Sequence, residues 1–146
     1  MSETRQKERK SQENSGKFAE SREKALLLLE ELKEEAARGK PVLVEGKNDA
    51  KALKELGVVG NIVNLKGNKS LSEIAERISS ELTELAKKNR SEKSAIILTD
   101  PDSEGGKIAA RIAYLLEQYG IHPELKFRKI CRLLGKGAVE QCSSMR

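Results

Sequence analysis

The clearest structural signal in this chain of 146 residues is an apolar run that ends in three acids: Ala95-Ile96-Ile97-Leu98-Thr99-Asp100-Pro101-Asp102-Ser103-Glu104-Gly105-Gly106. Its apolar part predicts a buried strand, and Pro101 ends regular strand geometry because its ring fixes φ and removes a hydrogen-bond donor. Asp102 or Ser103 can cap a helix that follows. Carboxylates at the carboxyl end of a parallel strand lie where open α/β folds bind ligands, and their hard oxygens suit magnesium. We therefore predict a divalent-metal site at this strand end.

A second strand upstream ends in the same way, in the run Pro41-Val42-Leu43-Val44-Glu45-Gly46. If both strands are parallel and belong to one sheet, Glu45, Asp100 and Asp102 reach one edge of that sheet. The alternative for Asp-Pro-Asp is ordinary turn and cap chemistry. The paired strand end with its glutamate favours the metal site over that alternative.

Hydrophobic periodicity predicts alternating strands and helices along the rest of the chain. We expect strands near 41–45, 61–65, 94–99 and 124–130. We expect helices over 48–56, 70–89 and 104–119. Such alternation predicts an α/β fold with a mostly parallel four-stranded sheet flanked by helices.

The predicted organisation is that of a single domain with two extensions. Residues 1–16 are polar and form a flexible tail, because they have almost nothing to bury. Residues 17–39 form an N-terminal amphipathic helix, residues 40–130 form the domain itself, and residues 131–146 form a basic, partly disordered segment. Tyr114 and Tyr119 have core spacing on the last long helix and are not expected to act as nucleophiles.

Charge and composition favour a polyanionic partner. The net charge is +5 and only 3% of residues are aromatic, which argues against a single-strand reader that works by base stacking. Between residues 126 and 136 the chain carries bases without an acid: Lys126, Arg128, Lys129, Arg132 and Lys136. A basic flank beside an acidic pocket is typical of proteins that bind phosphodiesters, and a merely solvated basic face is the alternative.

The expected compartment is the cytoplasm. Cys131 and Cys142 lack zinc-type spacing and are predicted to be free thiols, and no signal peptide is recognisable. No apolar run reaches the ~20 residues of a membrane span, so we expect no membrane partner.

Two motifs of this chain resemble the Toprim domain, a module shared by bacterial-type primases, type IA and type II topoisomerases, and the ribonuclease that matures 5S ribosomal RNA. The motifs are Val44-Glu45-Gly46-Lys47-Asn48-Asp49 and Leu98-Thr99-Asp100-Pro101-Asp102-Ser103-Glu104-Gly105-Gly106. The second is most similar to type IA topoisomerases, whereas the first and the small size resemble the RNA maturase and small stand-alone Toprim proteins. The resemblance implies a Rossmann-like Toprim fold over residues 40–130.

The resemblance also implies roles for individual residues. Glu45 would be a general acid or base, or a metal ligand, and Asp100 and Asp102 would bind Mg²⁺, for which Mn²⁺ can substitute. Glu104 would be an auxiliary ligand, although an acid in the first turn of a helix is also favoured by the helix dipole. The resemblance further makes Lys47 a candidate phosphate contact. Independently of the resemblance, the candidate nucleic-acid contacts include Lys66, which follows the second strand to the same edge, and four residues of the basic run: Lys126, Arg128, Lys129 and Arg132.

The function predicted from these features is Mg²⁺-dependent processing of nucleic-acid phosphodiesters by a stand-alone Toprim domain. This places the protein among hydrolases of the nuclease type or among phosphotransferases, with RNA processing slightly preferred over DNA. Topoisomerase and primase activities are not expected, because the domains that carry their other functions are missing. The alternative is a non-catalytic nucleic-acid-binding or accessory module that uses the metal site for phosphate recognition. A protein partner that positions the substrate is also predicted.

Overall fold

The structure is a computed structural model that describes residues 22–89 and 92–130. The predicted tail at 1–16 and the predicted basic segment at 131–146, with Arg132, both cysteines and Lys136, lie outside the described residues. Among those described, no helix is long and apolar enough to cross a membrane.

Strands and helices alternate along the whole described chain, as the apolar periodicity predicts. Helix α1 covers 22–37 of the described residues. It is followed by β1 (Val42–Val44), α2 (Lys47–Glu55), β2 (Ile62–Asn64), α3 (Leu71–Asn89), β3 (Ser94–Leu98), α4 (Ser103–Gln118) and β4 (His122–Glu124). A short 3₁₀ helix at Lys126–Arg128 follows β4.

The four strands form one sheet in the order β2-β1-β3-β4, and every pair in it is parallel. The α/β prediction is therefore confirmed, and the sheet is fully parallel within the described residues. The chain leaves β1 toward β2 on one side and leaves β3 toward β4 on the other. This makes the gap between the carboxyl ends of β1 and β3 the topological switch point, where open α/β sheets bind their ligands.

Register places the two predicted site segments side by side at this switch point. Val44 of β1 pairs with Leu98 of β3, so the residues that follow, Glu45 and Thr99, leave the sheet at the same height. Residues of β2 end at the same edge, because Val44 also pairs with Asn64.

Each face of the sheet is covered by its own hydrophobic core. One face packs against α1, α2 and the segment around the 3₁₀ helix, where Phe127 is fully buried together with Ile96 and Leu98. The opposite face packs against α3 and α4 through residues such as Ile78 and Ile112. Burial on both faces explains why β1 and β3 are continuous apolar runs and not alternating ones.

The predicted last strand at 124–130 is wrong in its position. Strand β4 spans His122–Glu124, and the chain then turns at Leu125 into the 3₁₀ helix, which places Phe127 under the sheet. Strand β4 includes Pro123. An edge strand tolerates proline because one row of its backbone donors is not needed by the sheet, and β4 is such an edge.

The predicted core position of the two tyrosines is also wrong. Tyr114 is 63% exposed and Tyr119 is 42% exposed, whereas Ile112 and Leu116 of the same helix are buried. Tyr114 lies on the solvent side of α4, and Tyr119 follows the end of this helix at Gln118.

Candidate metal centre

Glu45 connects the ends of β1 and β3. It follows β1 directly and is only 7% exposed. Its Oε1 accepts a hydrogen bond of 2.8 Å from the backbone N–H of Asp100. A buried carboxylate needs such a donor, and this bond fixes the glutamate against the loop that carries the other predicted acids.

Asp102 caps helix α4. Its Oδ1 accepts a hydrogen bond of 2.7 Å from the backbone N–H of Gly105, and its own backbone is extended with φ −84° and ψ 175°. This confirms the predicted N-cap, which satisfies one of the free N–H groups at the start of a helix. The positive end of the helix dipole therefore lies beside the acids of the site.

Gly105 is the residue that lets α4 approach the site. A Cβ at this position would lie 2.1 Å from the carbonyl oxygen of Asp100 and 2.7 Å from Glu45 Oε1. Both are far inside contact distance, so only glycine fits. At the neighbouring Gly106 the nearest atom, Nη2 of Arg128, would be 4.0 Å away. The close approach of a backbone therefore requires glycine at position 105 and not at position 106.

Two further side chains hold the loop after β3. The buried hydroxyl of Thr99 donates a hydrogen bond of 2.8 Å to the carbonyl oxygen of Gly105. Arg128 donates from Nε to the carbonyl of Thr99 at 3.3 Å and from Nη2 to that of Asp100 at 2.9 Å. Sequence reasoning missed this positioning role of Arg128, because carbonyl acceptors that lie 28 and 29 residues away leave no local pattern.

Lys66 lies among the acids. It follows β2 closely, and its backbone N–H donates to the carbonyl of Glu45 at 3.0 Å. Its Nζ is 3.0 Å from Glu104 Oε1 and 3.5 Å from Glu45 Oε2. The hydrogen bond to Glu104 is the main cause that raises the pKa of Lys66 above its usual 10.5, so the ammonium is charged at neutral pH.

The remaining predicted basic contacts are spread around the domain. Lys47 is exposed at the first position of α2, and Lys129 is exposed after the 3₁₀ helix. Lys126 pairs with Glu31 of α1, and the hydrogen bond to that carboxylate raises the pKa of the lysine. In the described part of this basic run, Lys126 and Arg128 make ion pairs or side-chain hydrogen bonds, and Lys129 makes neither.

The donor chemistry of this edge suits Mg²⁺, because carboxylate oxygens are the ligands that it prefers. The Lys66 ammonium takes the place of a metal cation in this structure, since Glu45 and Glu104 both contact it. The structure does not bring all four acids to one point. Over 22–89 and 92–130, no three acidic, histidine or cysteine side chains are grouped so that they could hold a metal ion.

Comparison with known proteins identifies the same region. A family model for the Toprim domain matches residues 40–132. The UPF0292 protein of Methanosarcina barkeri is 33% identical, over 81% of this chain and 75% of that protein. The one from Methanocaldococcus jannaschii is 37% identical, over 73% of this chain and 74% of its own length. A solved structure of a protein from Aquifex aeolicus is similar with a TM-score of 0.55 and 27% identity, over 77% of this chain and 94% of that one.

Proposed function

This chain belongs to the Toprim domain family, and from that membership we propose that it is an Mg²⁺-dependent enzyme that processes nucleic-acid phosphodiesters, in the manner of a nuclease. The family implies a metal-dependent function related to nucleic acids, and its domains generally bind Mg²⁺. Our proposal adds that the protein cleaves the phosphodiester and slightly prefers RNA.

The observation that carries the proposal is the buried carboxylate of Glu45 at the switch point. It is tied to the backbone of Asp100 and shares a cation with Glu104. A buried acid at the end of a strand is costly unless it is paired and hydrogen-bonded. Its partners here are the backbone N–H of Asp100, a residue that the Toprim motif assigns to the metal, and Lys66, which also pairs with Glu104.

Each acid has a distinct place in the proposed chemistry. Asp100 and Asp102 would hold the ion, with Glu104 as an auxiliary ligand. Glu45 Oε1 is engaged by the Asp100 N–H, so Oε2 is the atom that would bind the ion or hold a proton during cleavage. When bound, Mg²⁺ supplies charge stabilisation at the phosphate and an activated water.

Substrate would be held by exposed cations of the domain. Lys47 begins α2 directly beside Glu45, and Lys129 projects from the segment beyond β4. Such contacts neutralise the backbone phosphates and do not read bases. The RNA preference rests on the likeness of the Glu45-Gly46-Lys47 motif to the ribosomal RNA maturase.

The proposal is tested by incubating a mixed pool of RNA and DNA with the protein, with and without Mg²⁺. We expect metal-dependent cleavage that Asp100→Asn abolishes, because the amide cannot supply the charge that holds the ion. Glu76→Gln removes one exposed acid from α3, away from the site, and is the matched control. Equal cleavage by Asp100→Asn and the control would refute the proposal.

A non-catalytic binding module is the second candidate. It is favoured by one observation: Lys66 already neutralises Glu45 and Glu104, and the described residues hold no three-ligand group. In that case the pool experiment would show metal-dependent retention of nucleic acid without cleavage.

A further inference from the structure

We propose that Lys66 is an exchangeable cation of the site, which divalent metal displaces from Glu45 and Glu104 and which then binds a phosphate of the nucleic acid. This inference rests on the proposed metal-dependent function and adds a mechanism that couples metal binding to substrate binding. It assigns Lys66 two alternative partners, carboxylates in the free protein and a phosphodiester in the complex.

The ammonium occupies the oxygens that a metal needs. Glu45 has one oxygen committed to the Asp100 N–H, and the Lys66 ammonium contacts the other. Its second contact is Glu104, the auxiliary acid at the start of α4. Any ion bound to the free oxygen of Glu45 must therefore compete with this lysine.

The two cations cannot share these carboxylates without strong repulsion. A magnesium ion lies about 2.1 Å from its oxygen ligands, which would bring it within about 6 Å of the ammonium. Like charges that close repel, and the small doubly charged ion gains more from the carboxylates than a lysine does. The ammonium is therefore the cation that leaves.

Lys66 can leave without disturbing the fold. Its backbone is fixed by the hydrogen bond from its N–H to the Glu45 carbonyl, so the movement is confined to the side chain. The side chain of Lys66 is 48% exposed and that of Glu104 is 68% exposed, so water screens this ion pair and weakens it. A lysine is a mobile point charge on a flexible stem, which suits a change of partner.

The released ammonium remains at the mouth of the site. Lys66 is anchored at the carboxyl edge of the sheet, beside the acids, and the neighbouring Gly67 has no atom within 4 Å of the place where a Cβ would be. Open space on this side admits a phosphate. A free ammonium beside a bound metal is electrostatically unfavourable until an anion arrives, so metal and nucleic acid should favour each other's binding. Such coupling is reciprocal by thermodynamic necessity.

The experiment measures Mg²⁺ affinity by isothermal titration calorimetry in wild type, Lys66→Gln, Lys66→Arg and Lys69→Gln. We expect Lys66→Gln to bind Mg²⁺ more tightly, on the order of 2- to 30-fold, because the ion pairs with Glu45 and Glu104 no longer compete. Lys66→Arg retains a competing cation and should stay near wild type. Lys69→Gln makes the same charge change in the same loop, where Lys69 is exposed. It should change the affinity by less than about 2-fold, since the ion pairs of Glu45 and Glu104 are with Lys66 and an exposed charge is screened.

The second measurement is the affinity for a short fluorescein-labelled single-stranded RNA, with and without Mg²⁺, by fluorescence anisotropy. Mg²⁺ should strengthen RNA binding by the wild type, and this gain should shrink in Lys66→Gln and persist in Lys69→Gln. Equal gains in wild type and Lys66→Gln would overturn the exchange.

The outcomes separate this inference from the proposed function. If the wild type binds Mg²⁺ and Lys66→Gln binds it with the same or lower affinity, the role of Lys66 is refuted and the metal-dependent function stands. Mg²⁺ binding by Lys66→Gln alone would support the competition in its strongest form. Binding by neither protein would refute both.

Discussion

At the level of single residues, the site depends on a glycine, Gly105, and on the buried carboxylate of Glu45. Gly105 is the position where the first turn of α4 touches both the Asp100 carbonyl and Glu45. The motif predicts the carboxylate, because an acid after an apolar strand is a recognisable pattern. It does not predict which of Gly105 and Gly106 is indispensable, since that difference depends on the contacts of α4 with the Asp100 carbonyl and with Glu45.

We expect Gly105→Ala to destabilise the fold by about 1–3 kcal/mol or more, because the new methyl group would overlap a backbone carbonyl that cannot move freely. Gly106→Ala is the matched control. Its methyl group meets no atom closer than 4.0 Å, so alanine's better helix propensity should stabilise the protein by up to about 1 kcal/mol. Urea unfolding of both variants measures the difference. Equal effects of the two substitutions would contradict the packing described for α4.

Asp102 has a structural role and a proposed catalytic role, which two substitutions separate. Asp102→Asn keeps an oxygen that can accept from Gly105 N–H, so the metal-free protein should melt at about the same temperature. Asp102→Ala loses the cap and should cost about 1 kcal/mol. Metal-dependent activity should be lost in both. Full activity in Asp102→Asn would remove this residue from the metal site.

At the level of secondary structure, the two strands that carry the site were predictable and the last strand was not. β1 and β3 are buried on both faces, so their apolar runs stand out from the surrounding charge. Strand β4 is short and contains Pro123, so it resembles a turn. The contacts of Lys66 with Glu45 and Glu104 depend on the lateral order of β2, β1 and β3, which no local pattern encodes.

Arg128 and Lys129 are neighbours in the chain with different predicted roles. Arg128→Gln should destabilise the protein by about 1–3 kcal/mol, because it removes charge-assisted bonds to the carbonyls of Thr99 and Asp100. It should also weaken metal binding by loosening the loop. Lys129→Gln should leave stability unchanged, because Lys129 is exposed, and should lower the slope of log affinity for RNA against log salt by about 0.7. The reverse pattern would make Arg128 a phosphate contact and Lys129 a structural residue.

At the level of the whole molecule, the two cores leave the carboxyl edge of the sheet free for ligand. Helices cover both faces, and the switch point between β1 and β3 opens at that edge. The chain as a whole is basic with a net charge of +5, whereas two carboxylates, those of Glu45 and Glu104, lie beside Lys66 at this edge. A polyanion is thus attracted to the molecule in general, and in the proposed function a metal ion would offset the charge of these carboxylates.

Metal should therefore stabilise the folded protein as a whole. At a free concentration 100 times the dissociation constant, a single site adds about 2.7 kcal/mol to the free energy of unfolding. We expect Mg²⁺ or Mn²⁺ to raise the melting temperature of the wild type by several degrees and that of Asp100→Asn far less. Differential scanning calorimetry measures these melting temperatures. Identical shifts in both proteins would show that the ions bind elsewhere.

The measurement that decides whether the acidic edge is a metal site is anomalous diffraction from crystals soaked in manganese. We predict a peak at the switch point, about 2.1 Å from carboxylate oxygens of Glu45 and of the Asp100-Pro101-Asp102 turn, with the Lys66 ammonium moved away from Glu45. Crystals that show manganese only elsewhere, or none, with Lys66 still bridging Glu45 and Glu104, would contradict the metal-dependent function proposed for this protein.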